Sequence, residues 1–173
     1  MYKGAQHATI VSRRAPRSCY AGRNTVAIEL AHLTIAQQEE VYRNLASQGL
    51  YVAKVGDRVQ GCGGEGQITS APPTSVLING RPIATAGAIG RVDVDAHGCP
   101  ACPHPASGVI VTVLPDVLAN GRPVVVAGSE TRSSGCCQPR PGWVKQGRDG
   151  FGVTRTITQA DALRIRGRLV RGA

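Results

Sequence analysis

An internal repeat constrains this chain more than any other feature of its sequence. The segment SVLINGRPIATAG (75–87) matches DVLANGRPVVVAG (116–128) at eight of thirteen positions, with a constant offset of 41 residues. A third, partial copy, YVAKVG (51–56), aligns with the end of each unit. A repeat of this kind indicates one supersecondary unit that is used several times around a shared core.

Each full copy carries Asn-Gly between two β-rich runs. Both central residues of a type I′ turn need a positive φ, so Asn-Gly indicates a two-residue β-hairpin. Each unit therefore predicts a strand, a turn, a second strand and then a long loop. The 22 glycines and 11 prolines of the chain also favour short strands joined by turns. We therefore expect a mainly β fold.

One helix is predicted, at about residues 34–48, within an N-terminal extension of residues 1–50. Thr34 followed by Gln37 makes a capping-box pattern, and Gly49 is typical of the position just after a helix. Near the other end, VTRTITQADALRIRGRLV (153–170) alternates apolar and polar residues in places. This alternation predicts a strand that could pair with the edge of a partner's sheet.

The net charge of +9 is concentrated at both ends of the chain. Residues 1–50 carry six basic and three acidic side chains, residues 51–139 carry six of each, and residues 140–173 carry eight basic and two acidic ones. Basic ends suit an acidic protein surface or nucleic acid. With aromatics at only 3%, no platform for stacking bases is visible, so protein contact or solvation is the preferred interpretation. No stretch is long and apolar enough to span a membrane, and no apolar segment of a signal peptide follows the N-terminal basic residues.

The loops after the repeat units hold cysteine and histidine. The first loop contains Cys62, the second His97, Cys99, Cys102 and His104, and the third Cys136 and Cys137. If the units are related by pseudo-symmetry, these loops converge at one end of the domain. Zinc takes about four Cys and His ligands in closed structural sites, and metal binding would stabilise a core that is poor in aromatics.

Disulfide bonding among the six cysteines is the alternative. It is less favoured because adjacent cysteines such as Cys136 and Cys137 rarely bridge without strain, and no secretion signal indicates an oxidising compartment. Cys19 lies outside the repeats and is expected to be a free, partly buried thiol. His7 and His32 have no partners at ligand spacing, so we interpret them as surface residues or as residues whose polar atoms are satisfied by ordinary hydrogen bonds.

Together, these β-units, their Cys/His loops and the Gly56-Asp57 corner resemble the PAAR-repeat proteins, the spike tips of contractile injection machines. The resemblance spans residues 51–147 and includes VGDRVQGCGGEGQI, HGCPACPHPASG, both NGRP turns and CCQPRPGWVKQG. It implies a small cone of short strands with threefold pseudo-symmetry, followed by a basic C-terminal extension of residues 148–173. It also implies that one copy, a monomer on a threefold axis, caps a trimeric β-helical spike through the base of the cone.

The same resemblance implies one structural metal ion, zinc or iron, at the apex. A histidine that the family often carries is replaced by Gly61 in the first loop and Ser133 in the third, so cysteines are expected to substitute for it. The expected ligands are Cys62, His97, His104 and Cys137, with Cys102 and Cys136 as the next candidates. A Cys99/Cys102 pair within the second loop is the alternative.

The resemblance implies a mechanical function, with transient contact to a target membrane and no catalysis. No nucleophile–base pair occurs in either extension, and GCGGEG lacks the Lys-Ser/Thr of a phosphate-binding loop.

Besides the spike, the expected partners are other tail or baseplate components, or an effector carried on the basic extensions. A zinc-dependent nucleic-acid binder is less favoured, because no helix with a second ligand pair follows the CxxC pair. The expected location is a phage virion, or outside the cell after type VI secretion, with synthesis in the bacterial cytoplasm.

Overall fold

The computed structural model of the chain describes residues 26–61, 64–92, 106–133, 141–148 and 152–172. The described part is mainly β, as the repeat predicted, and none of its helices is long and apolar enough to cross a membrane. In chain order, its elements are β1 (Ile28–Glu29), a short 3-10 helix (Leu30–His32), α1 (Ile35–Ser47), β2 (Arg58–Gln60), β3 (Glu65–Ser70), β4 (Leu77–Ile78), β5 (Arg81–Pro82), β6 (Ile89–Val92), β7 (Ala106–Ile110), β8 (Thr112–Ala119), β9 (Arg122–Val124), β10 (Glu130–Ser133), β11 (Gly142–Val144), β12 (Gln146–Arg148), β13 (Thr154–Thr156), α2 (Gln159–Arg166) and β14 (Val170–Arg171).

Six short strands close into an antiparallel barrel in the order β10-β11-β2-β3-β6-β7. Three of its strand pairs, β2–β3, β6–β7 and β10–β11, are made by strands consecutive in the chain. The other three pairs join neighbouring hairpins and close the barrel. The barrel therefore consists of three similar hairpins, one from each repeat unit, as pseudo-threefold symmetry predicts.

At the centre of the fold, one backbone segment from each unit takes part in a closed ring of hydrogen bonds. The Ala53 N–H donates to the Val125 carbonyl (2.9 Å), the Val125 N–H to the Ala84 carbonyl (2.8 Å), and the Ala84 N–H to the Ala53 carbonyl (2.9 Å). All three residues are fully buried. A second set of bonds follows the same order, from Val55 to Pro82, from Ala86 to Pro123 and from Ala127 to Tyr51. The partial first repeat is therefore a complete member of the ring.

Glycines share the narrow interior of the barrel with larger apolar side chains such as Val59 and Ile68. A Cβ atom at Gly90 would lie 3.2 Å from the Val59 methyl groups, and one at Gly142 would overlap the Gln60 carbonyl oxygen. The barrel therefore has no room for a full layer of side chains at this level. In the observed register, Val59 lies opposite Gly66, Gly90 opposite Gly108, and Thr131 opposite Gly142.

Both Asn-Gly dipeptides form the predicted type I′ turns. Asn79 and Asn120 each have a φ of 51°, and Gly80 and Gly121 each have a φ of 73°. These turns connect β4 to β5 and β8 to β9. In the first unit the corresponding residue is Gly49, which has a similar φ of 77° but follows helix α1. A helix therefore replaces the first strand of the hairpin in that unit.

The predicted helix is confirmed as α1, Ile35–Ser47. The Thr34 side chain accepts a hydrogen bond from the Gln37 N–H (3.3 Å), and the Gln37 side chain accepts one from the Thr34 N–H (2.9 Å). This is the capping box that the sequence indicated. At the other end, the N–H groups of Gly49 and Leu50 donate to carbonyls of the last helical turn, which completes a Schellman motif.

The prediction of a partner-seeking strand at residues 153–170 was wrong. The middle of this segment is helix α2, which also begins with a capping box: the Asp161 N–H donates to the Thr158 hydroxyl oxygen, and the Thr158 N–H donates to the Asp161 carboxylate. The ends of the segment pair within the chain, β13 with β12 and β14 with β8. The apolar residues Ala162 and Ile165 are buried at helical spacing, which outweighs the local alternation.

Both extensions pack against the repeat units. Strand β1 pairs with β8 in parallel, and the side chains of both extensions share one hydrophobic cluster with the units. The N-terminal extension contributes Leu30, Tyr42 and Leu45, the C-terminal extension Ile157, Ile165 and Leu169, and the units Val52, Ile83 and Val124, among others.

Candidate metal centre at one end of the barrel

The three hairpins of the barrel turn at the same end. Strands alternate in direction around the closed antiparallel barrel, so the ends of β2, β6 and β10 lie together with the starts of β3, β7 and β11. The connections between them are residues 61–64, 93–105 and 134–141. These are the three Cys/His loops of the sequence. The fold thus brings the strand ends that carry the loops to one end of the barrel, which we call the loop end.

Every predicted ligand belongs to these three connections and falls outside the described residues. This holds for Cys62, His97, His104 and Cys137, for the further candidates Cys102 and Cys136, and for Cys99. Cys19 and His7 also fall outside. The ligand set therefore stays a prediction. His32 is described and exposed, as expected for a surface residue, and it lies in the 3-10 helix.

Hydrogen bonds hold the rim of the barrel on both sides of Cys62. The Gly61 N–H donates to the Gly64 carbonyl (2.8 Å), and the Gln60 side-chain amide donates to the same carbonyl (2.8 Å). Cys62 comes directly after Gly61 in the sequence, so it is attached to a hydrogen-bonded part of the rim. Because three connections with Cys or His begin at this rim, the donor set fits a closed structural zinc or iron site.

One acidic side chain at the rim already has cationic partners. Glu65, at the start of β3, forms ion pairs with Arg58 on β2 and with Lys145, which follows β11. The Arg58 pair lies within the first hairpin, whereas the Lys145 pair joins the first hairpin to the third. Glu65 is thus engaged in bracing the barrel.

Away from the loop end, each unit has a corner with a glycine of positive φ. The values are 92° at Gly56, 91° at Gly87 and 99° at Gly128. The Gly-Asp corner of the first unit closes through Asp57, whose carboxylate accepts hydrogen bonds from the Lys54 N–H (3.0 Å) and the Lys54 Nζ (2.5 Å).

The residues that follow the corner glycines differ in chemistry. Burial raises the pKa of Asp57, and the hydrogen bonds and charge of Lys54 offset this only in part. In the third unit, Ser129 takes the place of Asp57, and its hydroxyl accepts from the Val126 N–H (3.2 Å). In the second unit this place is Ala88. The backbone turn at the glycine is therefore common to all three units, whereas only the first and third units add a side chain that accepts a hydrogen bond.

Sequence reasoning missed the role of Glu130 on β10. This carboxylate is almost fully buried and lies 2.9 Å from Arg132, 3.6 Å from Arg166 and 3.8 Å from Arg171. Arg166 and Arg171 belong to the C-terminal extension, so Glu130 ties that extension to the barrel. The only signal in the sequence was the arginine-rich C-terminus, which does not identify a partner.

Within the described residues, no group of three or more His, Cys, Asp and Glu side chains is placed to hold a metal ion. Comparison of the chain with protein-family models, with curated proteins and with solved structures found no match. A functional assignment therefore depends on the residues of this chain alone.

Proposed function

We propose that this protein is the structural tip of a contractile injection machine, a phage tail or a type VI secretion system. One copy would cap the blunt end of a trimeric β-helical spike through the end of the barrel away from the loops. Its role would be mechanical: it sharpens the spike and contacts the target membrane transiently. No catalytic step is assigned to it.

The observation that carries this proposal is the pseudo-threefold symmetry of a single chain. Ala53, Ala84 and Val125 form a closed ring, and three similar hairpins surround it. A trimer presents three equal surfaces around its axis, and a partner on that axis has to offer three similar faces. A chain with three internal repeats meets this requirement as a monomer.

The arrangement of the loops supports a metal-held apex. All three Cys/His connections leave from the loop end, so their donors start from one small area. The residues that would hold the ion are Cys62, His97, His104 and Cys137, with Cys102 and Cys136 as substitutes. One zinc or iron ion with four protein ligands would stabilise the folded loops and leave no position for a reacting water.

Elemental analysis with thiol counting on the purified protein tests the metal. We expect about one equivalent of zinc or iron and reactive thiols after denaturation. Cys62→Ser and His104→Ala should each lower the bound metal, whereas His32→Ala, an exposed histidine outside the loops, should not. No metal with few reactive thiols would mean a disulfide-linked domain and would remove this part of the proposal.

Co-purification with the trimeric spike protein of the same machine tests the function. We expect a stable complex with one copy of this chain per spike trimer, measured by light scattering after size exclusion. Three copies per trimer, or no complex, would contradict a monomeric cap on the threefold axis.

A further inference from the structure

A cleft of about 240 Å³ lies where the two extensions meet. One wall is the end of helix α1, and the others are strand β13 and helix α2. We call it the arginine cleft, because Arg155, Arg164 and Arg168 line it together with Tyr51 and Asp161. None of its lining residues belongs to the Cys/His loops, and most of them belong to the two extensions.

Each of the three guanidinium groups is held in place by a contact within the chain. The Arg155 guanidinium carbon lies 5.2 Å from the centre of the Tyr51 ring, in a cation–π arrangement. Arg164 forms an ion pair with Asp161, and Arg168 Nη1 donates to the Gln48 carbonyl at the end of α1 (2.6 Å). A guanidinium has five N–H donors, so these contacts leave most of the donors of each group for a ligand.

The cleft carries an excess of positive charge. Three arginines face one carboxylate, Asp161, and that carboxylate also accepts hydrogen bonds from Thr158 at the start of α2. These contacts from Thr158, and the hydrogen bond from Arg164, lower the pKa of Asp161. Asp161 is therefore ionised at neutral pH, yet it compensates only one of the three cations.

We propose that the arginine cleft binds an acidic side chain of a partner protein. Anchored guanidinium groups recognise carboxylates through paired N–H donors. Tyr51, Ile157 and Ile165 also line the cleft, which adds some apolar surface beside the guanidinium groups. This is a short, half-open cleft with its own carboxylate in the wall, unlike the extended basic groove that tracks a nucleic-acid backbone.

This binding does not depend on the spike-tip function. It gives a location and a chemistry to the expectation that the basic extensions carry an effector or dock on another component. A failure of either test leaves the other proposal intact, because the cleft and the loop end share no residues.

Fluorescence anisotropy with a fluorescein-labelled hexaglutamate peptide tests the proposal on the full chain at low salt. In Arg155→Gln/Arg164→Gln we expect a Kd about five- to tenfold higher than in the unmodified protein. Arg168 is left unchanged because it caps α1. The matched control is Arg81→Gln/Arg122→Gln, which removes two exposed arginines outside the cleft and changes the net charge equally. It should bind like the unmodified protein.

The proposal is overturned if the peptide does not bind, or if both double variants weaken binding equally. It is also overturned if a hexathymidylate oligonucleotide shows the same loss in the cleft variant, since phosphate would then be the ligand. A variant could also lose binding because it misfolds, so the site is located in the unmodified protein as well. Amide spectra of that protein are recorded during titration with the peptide. Shifts should centre on Tyr51 and Arg155, and shifts confined to other regions would contradict the site.

Discussion

Ile165 of helix α2 lies directly against Gly128: a Cβ atom at Gly128 would be 3.1 Å from Ile165 Cγ2. The C-terminal extension is thereby fitted onto the corner of the third repeat unit. Gly128 also has a φ of 99°, which an L-residue rarely adopts. The position thus requires glycine for two separate reasons, one in the backbone and one in the packing.

Gly128→Ala should therefore destabilise the protein more than Gly121→Ala. Gly121 also has a positive φ, but nothing lies within 4 Å of its Cβ position. The positive φ costs about 1–2 kcal/mol in both variants, and overpacking adds about 1–3 kcal/mol at Gly128. Urea unfolding measures both free energies. Equal losses would mean that α2 does not pack on this corner in solution.

Thr85→Val should raise the free energy of unfolding by about 1 kcal/mol. The Thr85 hydroxyl is fully buried and has no hydrogen-bond partner within the described structure. Val126 occupies the equivalent position of the third unit, so the site accepts valine. The control is Thr112→Val, because the Thr112 hydroxyl accepts from the Glu130 N–H (2.5 Å). This control should lose about 1–3 kcal/mol, and a loss in both variants would show that Thr85 has a partner.

The buried Lys54–Asp57 pair should be replaceable as a pair but not singly. Asp57→Ser keeps an acceptor for the Lys54 N–H, as Ser129 does in the third unit, but leaves the Lys54 ammonium without its carboxylate. We expect a loss of about 3 kcal/mol. Lys54→Val/Asp57→Ser copies the third unit and should stay within about 1 kcal/mol of the unmodified protein. A double variant as unstable as Asp57→Ser alone would contradict this.

The same pair predicts a pH dependence. The pKa of Asp57 is raised from its ordinary value of 3.8, so the folded protein holds this proton to a higher pH than the unfolded chain does. Its contribution to stability is therefore fully present below pH 3.8 and declines as pH rises through the folded-state pKa. The stability of the unmodified protein relative to the double variant should fall over that window in urea titrations. A relative stability that rises there would show that the Lys54 contacts outweigh burial.

Glu29 should contribute in the opposite direction. Burial raises its pKa, but backbone N–H donors at Ala31 (3.0 Å), Gly121 (2.7 Å) and Asn120 (2.9 Å) outweigh this, and the pKa is lowered from 4.5. Its contribution is present above pH 4.5 and is lost as pH falls through the folded-state pKa. Glu29→Gln should cost about 1 kcal/mol at pH 7, and less in acid.

The matched control for this change is Glu40→Gln, an exposed position on helix α1. It should leave the free energy of unfolding almost unchanged at every pH. A loss for Glu29→Gln that stays constant down to pH 3 would indicate a packing effect rather than a charged acceptor.

Local chemistry explains which parts of the fold were predictable. The Asn-Gly turns and the capping box of Thr34 and Gln37 depend on neighbours in sequence, so their signals are short and complete. The repeat predicted three units because each copy has to make the same contacts around one centre. Closure of the barrel was less visible, since its strands are only three to six residues long and glycines interrupt their apolar positions, which leaves little alternation to read.

Helix α2 and the candidate metal site show the limits of the same reasoning. Leu163 and Ile165 of α2 alternate with Arg164 and Arg166, which resembles a strand. Its capping box, Thr158 with Asp161, was the signal that could have identified the helix. At the loop end, spacing predicts that three connections converge, and the fold agrees with this. The choice of ligands depends on loop conformations that no local pattern determines.

The ring of Ala53, Ala84 and Val125 has a consequence for how the chain folds. Its members are separated by 31, 41 and 72 positions in the sequence, so none of the bonds can form early and locally. Two segments without the third would leave buried N–H and carbonyl groups unpaired. Folding is therefore expected to be all-or-none and slow, on the order of milliseconds to seconds, as for other folds dominated by distant contacts. The three ring amides should exchange with solvent together, and only when the whole molecule opens.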